Sequence, residues 1–334
     1  MSRAREIADL GSPAASGLSN RNFVINGDMQ VAQRGTSATV TTGSGPQTCD
    51  RFFVEAASSG TFNVTQSTTA PDGFANSFKF DCTSADASPN FLLFGYRIEG
   101  QDVQNLKKGT SGALSTALSF YVRSSKTGTY QVNLRDIDNG RIIGVTYTIS
   151  SANTWEYKTV TFIGDTSGIL GNDNGNSLTI EWWLAAGSTY NSGAVPTAWE
   201  AKVDGDRAAG LNVAIGASTS DDFHITGIQL EIGDVATPFE HEDFGATLKK
   251  CQRYYQNYVT DKLYFNGTNE PSSEIGNSRL LPTLMRAAPA VGNKSSTHGS
   301  AGAMSANAQT IRYITVASHG TGGFNVGFDL DAEL

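Results

Sequence analysis

Charge is scarce in this chain, and so are cysteine, histidine and long apolar runs. Charged residues make up 17% of the 334, with 32 acidic against 24 basic side chains and a formal net charge of −8. A protein that neutralises a phosphate backbone needs a basic face, and this sequence offers none, which excludes nucleic acid as a partner. The same acidic balance argues against docking on anionic lipid. No stretch approaches the ~20 consecutive apolar residues of a membrane-spanning helix, so no membrane insertion is expected. The opening MSRAREIADLGSP has no apolar core and is not read as a secretory signal. The three cysteines, Cys49, Cys82 and Cys251, are odd in number and far apart. They read as free buried thiols made in a reducing compartment, not as a disulfide framework.

Catalytic signatures are missing as well. His224, His241, His298 and His319 show neither His-x-x-x-His spacing nor a Cys/His pattern that would hold zinc. There is no G-x-S-x-G elbow and no phosphate-cradling glycine loop. Asp136 and Asp138 flank a turn, but nothing in their spacing supplies the two converging carboxylates, about 5–10 Å apart, of a glycoside hydrolase. Gly171–Gly175 with Glu181 has part of a calcium-loop spacing, yet Leu170 stands at the first ligand position, so the segment reads as a Gly/Asn turn. No catalytic residue, metal ligand or enzyme activity is read.

What is abundant is turn chemistry: 36 glycines, with Ser, Thr and Asn, between short apolar runs. This favours an all-β chain. ALSFYVRS places Leu118, Phe120 and Val122 on one face, and TYQVNLRD places Val132 and Leu134 on one face. The SSKTG between them predicts an antiparallel hairpin. Asp138-Asn139-Gly140 predicts a second tight turn. In FHITGIQLEI the parity changes between Ile225 and Ile228, which predicts a bulge at Thr226-Gly227. About ten such runs suit a two-sheet sandwich.

Helical spacing appears at 2–10 and at 243–258, where Phe244, Leu248, Cys251, Tyr255 and Tyr258 form a stripe behind an Asp243 cap. The organisation is therefore a helix and linker over 1–21, a sandwich over 22–241, a linker helix over 242–258 and a small C-terminal β-domain over 259–334.

Aromatic rings stack on the C–H faces of sugars, so Trp182, Trp183, Trp199 and Tyr264 are the sugar-contact candidates. Trp182 and Trp183 are consecutive on a strand and point to opposite faces; one is expected in the core and the other exposed or at an interface. Ile7, Leu10, Tyr255 and Tyr258 are candidates for virion attachment or subunit contact. Arg34, Asp50 and Arg51 read as ion pairs tying the chain ends to the sandwich.

Two segments carry a family resemblance: NRNFVINGDMQVAQRGT (residues 20–36) with Cys49-Asp50-Arg51-Phe52, and TGIQLEIGDVATPFEHEDFGATLKKCQRYYQ (residues 226–256). Together they resemble bacteriophage tail-fibre proteins, in which such segments open and close a jelly-roll and a CQRYY helix leads into a β-domain. Met285–Pro289 resembles the MRAAP segment of that last domain, and RAREIADLGS resembles the virion-joining head of such fibres. The resemblance implies an all-β fold with short helices: jelly-roll sandwich, linker helix, small C-terminal β-domain. It also implies a homotrimer in the virion, assembled in the host cytoplasm, joined to a tail or baseplate protein through its N-terminus and recognising a host-surface glycan. The long loops of 259–334 are the expected recognition tip. A spacer or cap that touches no glycan, and a polysaccharide depolymerase, are the alternatives. The opening also resembles calcium-stabilised carbohydrate-binding modules. Here, however, Gln30 replaces an expected acid and Thr226–Leu230 carries no carboxylate, so no cofactor is expected and a structural calcium ion is the weaker alternative.

Overall fold

The computed structural model describes residues 21–46, 48–259, 262–267, 275–296, 303–315 and 322–334. The N-terminal helix, with Ile7 and Leu10, lies outside them. The chain divides into two compact units, Met1–Glu242 and Asp243–Leu334.

The first unit is a jelly-roll sandwich. Its strands are β1 (Ser37–Val40), β2 (Gly43–Pro46), β3 (Phe52–Ala57), β4 (Thr61–Ser67), β5 (Ser77–Ser84), β6 (Phe91–Glu99), β7 (Thr116–Ser124), β8 (Gly128–Asp136), β9 (Arg141–Ile149), β10 (Glu156–Phe162), β11 (Asn176–Ala186), β12 (Glu200–Ala201) and β13 (Asp222–Ile232). One sheet is six-stranded in the order β1-β4-β5-β13-β7-β10, and the other seven-stranded in the order β12-β9-β8-β11-β6-β3-β2. Period-two alternation sends Leu118, Phe120 and Val122 of β7, Tyr130, Val132 and Leu134 of β8, and Ile180 and Trp182 of β11 into one core between the sheets. Cys49, Cys82 and Cys251 are free and buried.

The hairpin expected at SSKTG does not form. β7 pairs with β10 and β13, while β8 pairs with β9 and β11. The connection is a corner between sheets, where Tyr130 donates to the Lys126 carbonyl at 2.9 Å. Alternation reports which side chains face the core, and a hairpin and an inter-sheet corner give the same alternation. The Asp138–Gly140 turn does join an antiparallel pair, β8 and β9, with Gly140 at φ 61°.

The register of β13 against β7 passes from Thr226↔Tyr121 to Gln229↔Ser119, three steps on one strand against two on the other. That is the bulge, and Gly227 takes the left-handed φ of 62° that it requires. It lets Phe223, Ile225, Ile228 and Leu230 all reach the core.

The second unit opens with helix α1 (Phe244–Gln252), capped by Asp243, whose carboxylate accepts from the Ala246 N–H at 3.0 Å. The helix stops well short of 258. Tyr255–Asn257 form a strand, β14, which pairs with β20 (Gly322–Asp331). Backbone pairing with β20 wins over the helical stripe there: the Tyr258 N–H donates to the Phe328 carbonyl at 2.8 Å and the Ala332 N–H to the Tyr254 carbonyl at 2.8 Å. β15 (Leu263–Gly267) and β17 (Ala290–Ser296) also pair with β20, while β16 (Ile275–Leu280), β18 (Ala303–Ala306) and β19 (Thr310–Thr315) form a three-stranded sheet. Met285, Ile311, Val326, Phe328 and Leu330 form the core of this second unit. Among the described residues no helix is long and apolar enough to cross a membrane.

Candidate functional site

The tryptophans expected to meet sugar turn inward or are covered. Trp182 and Trp183 do point to opposite faces of β11, but both are 0% exposed. Trp183 lies on the outer face of the seven-stranded sheet, beneath the segment 187–211. Tyr190, Ala208 and Leu211 pack on it, and the Arg207 guanidinium sits 4.8 Å from its ring centre. Arg207 also pairs with Glu181 at 2.8 Å, and Arg135 reaches Glu181 from the next strand. Burial disfavours the charged Glu181, but these two guanidiniums outweigh it and hold its carboxyl below the ordinary range. Asn133 donates to the Arg207 carbonyl at 2.7 Å, Gln131 to the Asp206 carbonyl at 3.0 Å, and Gly210 N–H to Gln131 at 2.8 Å. The chain itself thus occupies the polar groups with which this sheet face could meet a ligand.

Trp199 is half-buried; its indole N–H donates to the Ile163 carbonyl at 2.7 Å and the Lys108 ammonium lies 4.9 Å from its ring. Tyr255 is buried and donates to Asp329 at 2.9 Å, and Tyr258 packs on Phe328. Both serve the core of their own unit. Tyr264 lies on β15 opposite Asn325, and its side chain is outside the described residues.

The two landmark segments meet in space. Asn26 adopts φ 63°, accepts from Val31 N–H at 2.9 Å and donates to the carbonyls of Val31 and Asp50 at 2.9 and 3.1 Å. Asp50 accepts from the Gln33 N–H at 2.8 Å, and Arg51 donates to the Arg97 carbonyl at 2.8 Å and lies over Tyr96. The Arg21 and Asn22 N–H groups donate to Glu240 at 3.0 and 3.2 Å, and Phe23 N–H to the Leu230 carbonyl at 2.9 Å. Hydrogen bonds to the backbone tie these segments together, and Arg21 also pairs with Glu231 at 3.5 Å.

A calcium ion fits this opening poorly. The Gln30 side-chain amide donates to the Asp28 carboxylate, and on the closing strand β13 the Gln229 amide donates to Glu231 at 2.9 Å. Amide hydrogens point where a hard cation needs oxygen. Burial raises the Asp28 carboxyl above its usual value.

A ridge of rings crosses the outer face of the six-stranded sheet. Tyr157 of β10 meets Tyr121 of β7 at 4.9 Å between centroids, and Tyr121 meets Phe74 at 5.4 Å. Phe74 meets Phe239 at 5.1 Å and His241 at 5.2 Å. Two glycines make the floor. A Cβ on Gly227 would stand 2.8 Å from the Phe74 ring and 3.0 Å from Tyr121, and one on Gly27 would meet the Ile228 carbonyl at 2.1 Å and Phe239 at 3.3 Å. Each glycine belongs to one landmark segment. Tyr157 is 46% exposed. Two cations on the same sheet face as the ridge are paired: Lys79 with Asp81 at 2.9 Å and Arg123 with Asp222 at 3.4 Å. Beside it His224 is buried, 3.2 Å from Ser77 Oγ and with Trp155 at 5.9 Å; burial pushes its imidazole down to about 4.

The sequence reading missed this ridge. The outward parity of Tyr121 and Tyr157 is legible in their strands, but Phe74 sits in a loop and Phe239 beyond β13, and no spacing in the chain links them.

No family model and no curated protein matches the chain. Among solved structures, it is similar to the enzymatically active domain of bacteriophage CBA120 tailspike protein 4, at 13% identity and a TM-score of 0.34 over 64% of this chain. The chain spans only 22% of that tailspike's length. It is also similar to the C-terminal family 22 carbohydrate-binding module of Clostridium thermocellum Xyn10B, at 10% identity and a TM-score of 0.33 over 65% of this chain and 99% of the module. A family 11 module from Clostridium thermocellum gives 11% identity and a TM-score of 0.30 over 62% of this chain and 98% of the module. At such identities and scores these neighbours assign neither ligand nor activity to this chain.

Proposed function

We propose that this chain is a non-enzymatic, cofactor-free component of a phage tail fibre. It would join a tail or baseplate protein through its N-terminus, trimerise, reside in the virion after assembly in the host cytoplasm, and recognise a host-surface glycan. One observation carries the reading. The two segments that resemble tail-fibre proteins lie far apart in sequence, yet Arg21–Asn22 bond to Glu240 and Asn26 to Asp50, so they build one lock that closes the sandwich. A resemblance confined to scattered landmarks gains weight when the landmarks serve one structural purpose.

The sealed face of the seven-stranded sheet favours a second reading, a fibre spacer or cap without glycan binding. Adsorption separates the two. Antibody against the chain should decorate particle tails, and purified chain should block adsorption of those particles to their host. Tail labelling without blocking selects the spacer. Absence from the tail defeats both readings, and release of reducing sugar from host polysaccharide would establish a depolymerase instead.

A further inference from the structure

We propose that the ridge Tyr157–Tyr121–Phe74–Phe239–His241 is a binding surface for an uncharged glycan chain. This rests on the host-recognition reading above and names the surface and ligand class within it.

The ridge is built at a cost. Gly227 holds a left-handed backbone at φ 62° inside a strand, and that bulge is where Phe74 and Tyr121 close over the sheet. Gly27, pressed against the Ile228 carbonyl, makes the same allowance for Phe239. A ring layer serving only to cover the sheet would bury its last member. Here Tyr157 leaves 46% of itself in water at one end, and His241 is exposed at the other. Successive rings lie 4.9–5.4 Å apart, a continuous line of apolar surface rather than one isolated platform. Between and beside them stand hydrogen-bonding groups: Thr159, exposed on β10 next to Tyr157, and Asn76, whose carbonyl accepts from Thr226 in the row of Tyr121. Apolar rings bordered by hydroxyl and amide suit a sugar, which offers C–H faces and hydroxyl rims at once.

Charge decides the class. Lys79 and Arg123, on the same sheet face as the ridge, each already have a carboxylate partner in Asp81 and Asp222. An anionic polysaccharide would have to displace those partners from a chain that is itself at −8. A neutral glycan pays no such penalty.

The test is binding of the full chain to a printed array of neutral and acidic oligosaccharides, with Tyr157→Ala and Trp199→Ala as variants. Tyr157 is exposed enough for its truncation to spare the fold, which circular dichroism checks. The expected result is binding to neutral oligosaccharides that Tyr157→Ala weakens about tenfold, or about 1.4 kcal/mol, while Trp199→Ala leaves it unchanged. Equal binding by Tyr157→Ala, or binding restricted to acidic oligosaccharides, overturns the proposal. So does dissociation of an oligomer by Tyr157→Ala in light scattering, which would make the ridge a contact between copies. Failure on the array with adsorption blocking intact overturns the ridge alone; loss of adsorption blocking by the unaltered chain overturns host recognition.

Discussion

Lys108 shows how much one side chain can depend on distant parts of the chain. Its side chain is 5% exposed, and its ammonium meets Asp136, Asp165 at 2.9 Å and the carbonyls of Ser167 and Gly168 at 3.0 Å each. Arg141 closes on Asp165 from the other side at 2.7 Å. Burial opposes ionisation of Asp165, yet Arg141 and Lys108 bring its carboxyl below the usual value. Removing one partner of a buried pair costs about 3–5 kcal/mol, because the desolvated charge stays behind. Lys108→Met should therefore lower the stability of the sandwich by that order in a urea titration. A change under about 1 kcal/mol would mean that the cluster is solvated and contributes as little as a surface pair. In the sequence Lys108 is one of two adjacent lysines before a glycine, and nothing there separates it from an exposed turn. Asn26 is the opposite case: it stands out in a motif, but its purpose is visible only once Val31 and Asp50 lie around its amide.

Among the elements, β13 is the one whose irregularity the sequence announces. A change of parity within one strand admits no other local remedy than an inserted residue, and Gly227 supplies it. Gly227→Ala should destabilise the sandwich by about 2 kcal/mol or more: the left-handed backbone alone costs about 1–2 kcal/mol with a Cβ. In addition, that Cβ would stand 2.8 Å from the Phe74 ring. Chemical denaturation measures the loss, and near-ultraviolet circular dichroism should report displaced rings. An unchanged midpoint would mean that the bulge moves elsewhere along the strand. The corner after β7 and the end of α1 were illegible for a different reason. Both are decided by which strand is available as a neighbour, a choice made by residues far away in sequence.

For the molecule as a whole, pH is the sharpest probe. His224 takes up a proton near 6.5 when unfolded but only near 4 when folded, because burial opposes its charge. Between those values the unfolded chain binds the extra proton, so stability falls as pH drops through that window, by about 3 kcal/mol at most. Below it, Glu181 and Asp165 follow the same direction: their depressed carboxyls stabilise the fold above the ordinary carboxylate range and lose that contribution as pH falls through their folded values. Urea midpoints from pH 7.5 to 4 should decline, and His224→Gln should flatten the upper part of that decline; an equally steep slope in the variant would assign it to other groups. By itself the sequence determined the β class, the inward faces of β7 and β8, the bulge in β13, the Asp243 cap and the landmark segments. These follow from local periodicity, from backbone conformations open to few residues, and from the recognisable order of the landmarks. Only the tertiary structure decided that Trp183 is sealed under 187–211, that Lys108 is buried among acids, and that Phe74, Tyr121, Tyr157 and Phe239 form one ridge. Burial and ring contact depend on what the two sheets and their crossings bring together, and the sequence does not encode those distances as spacing.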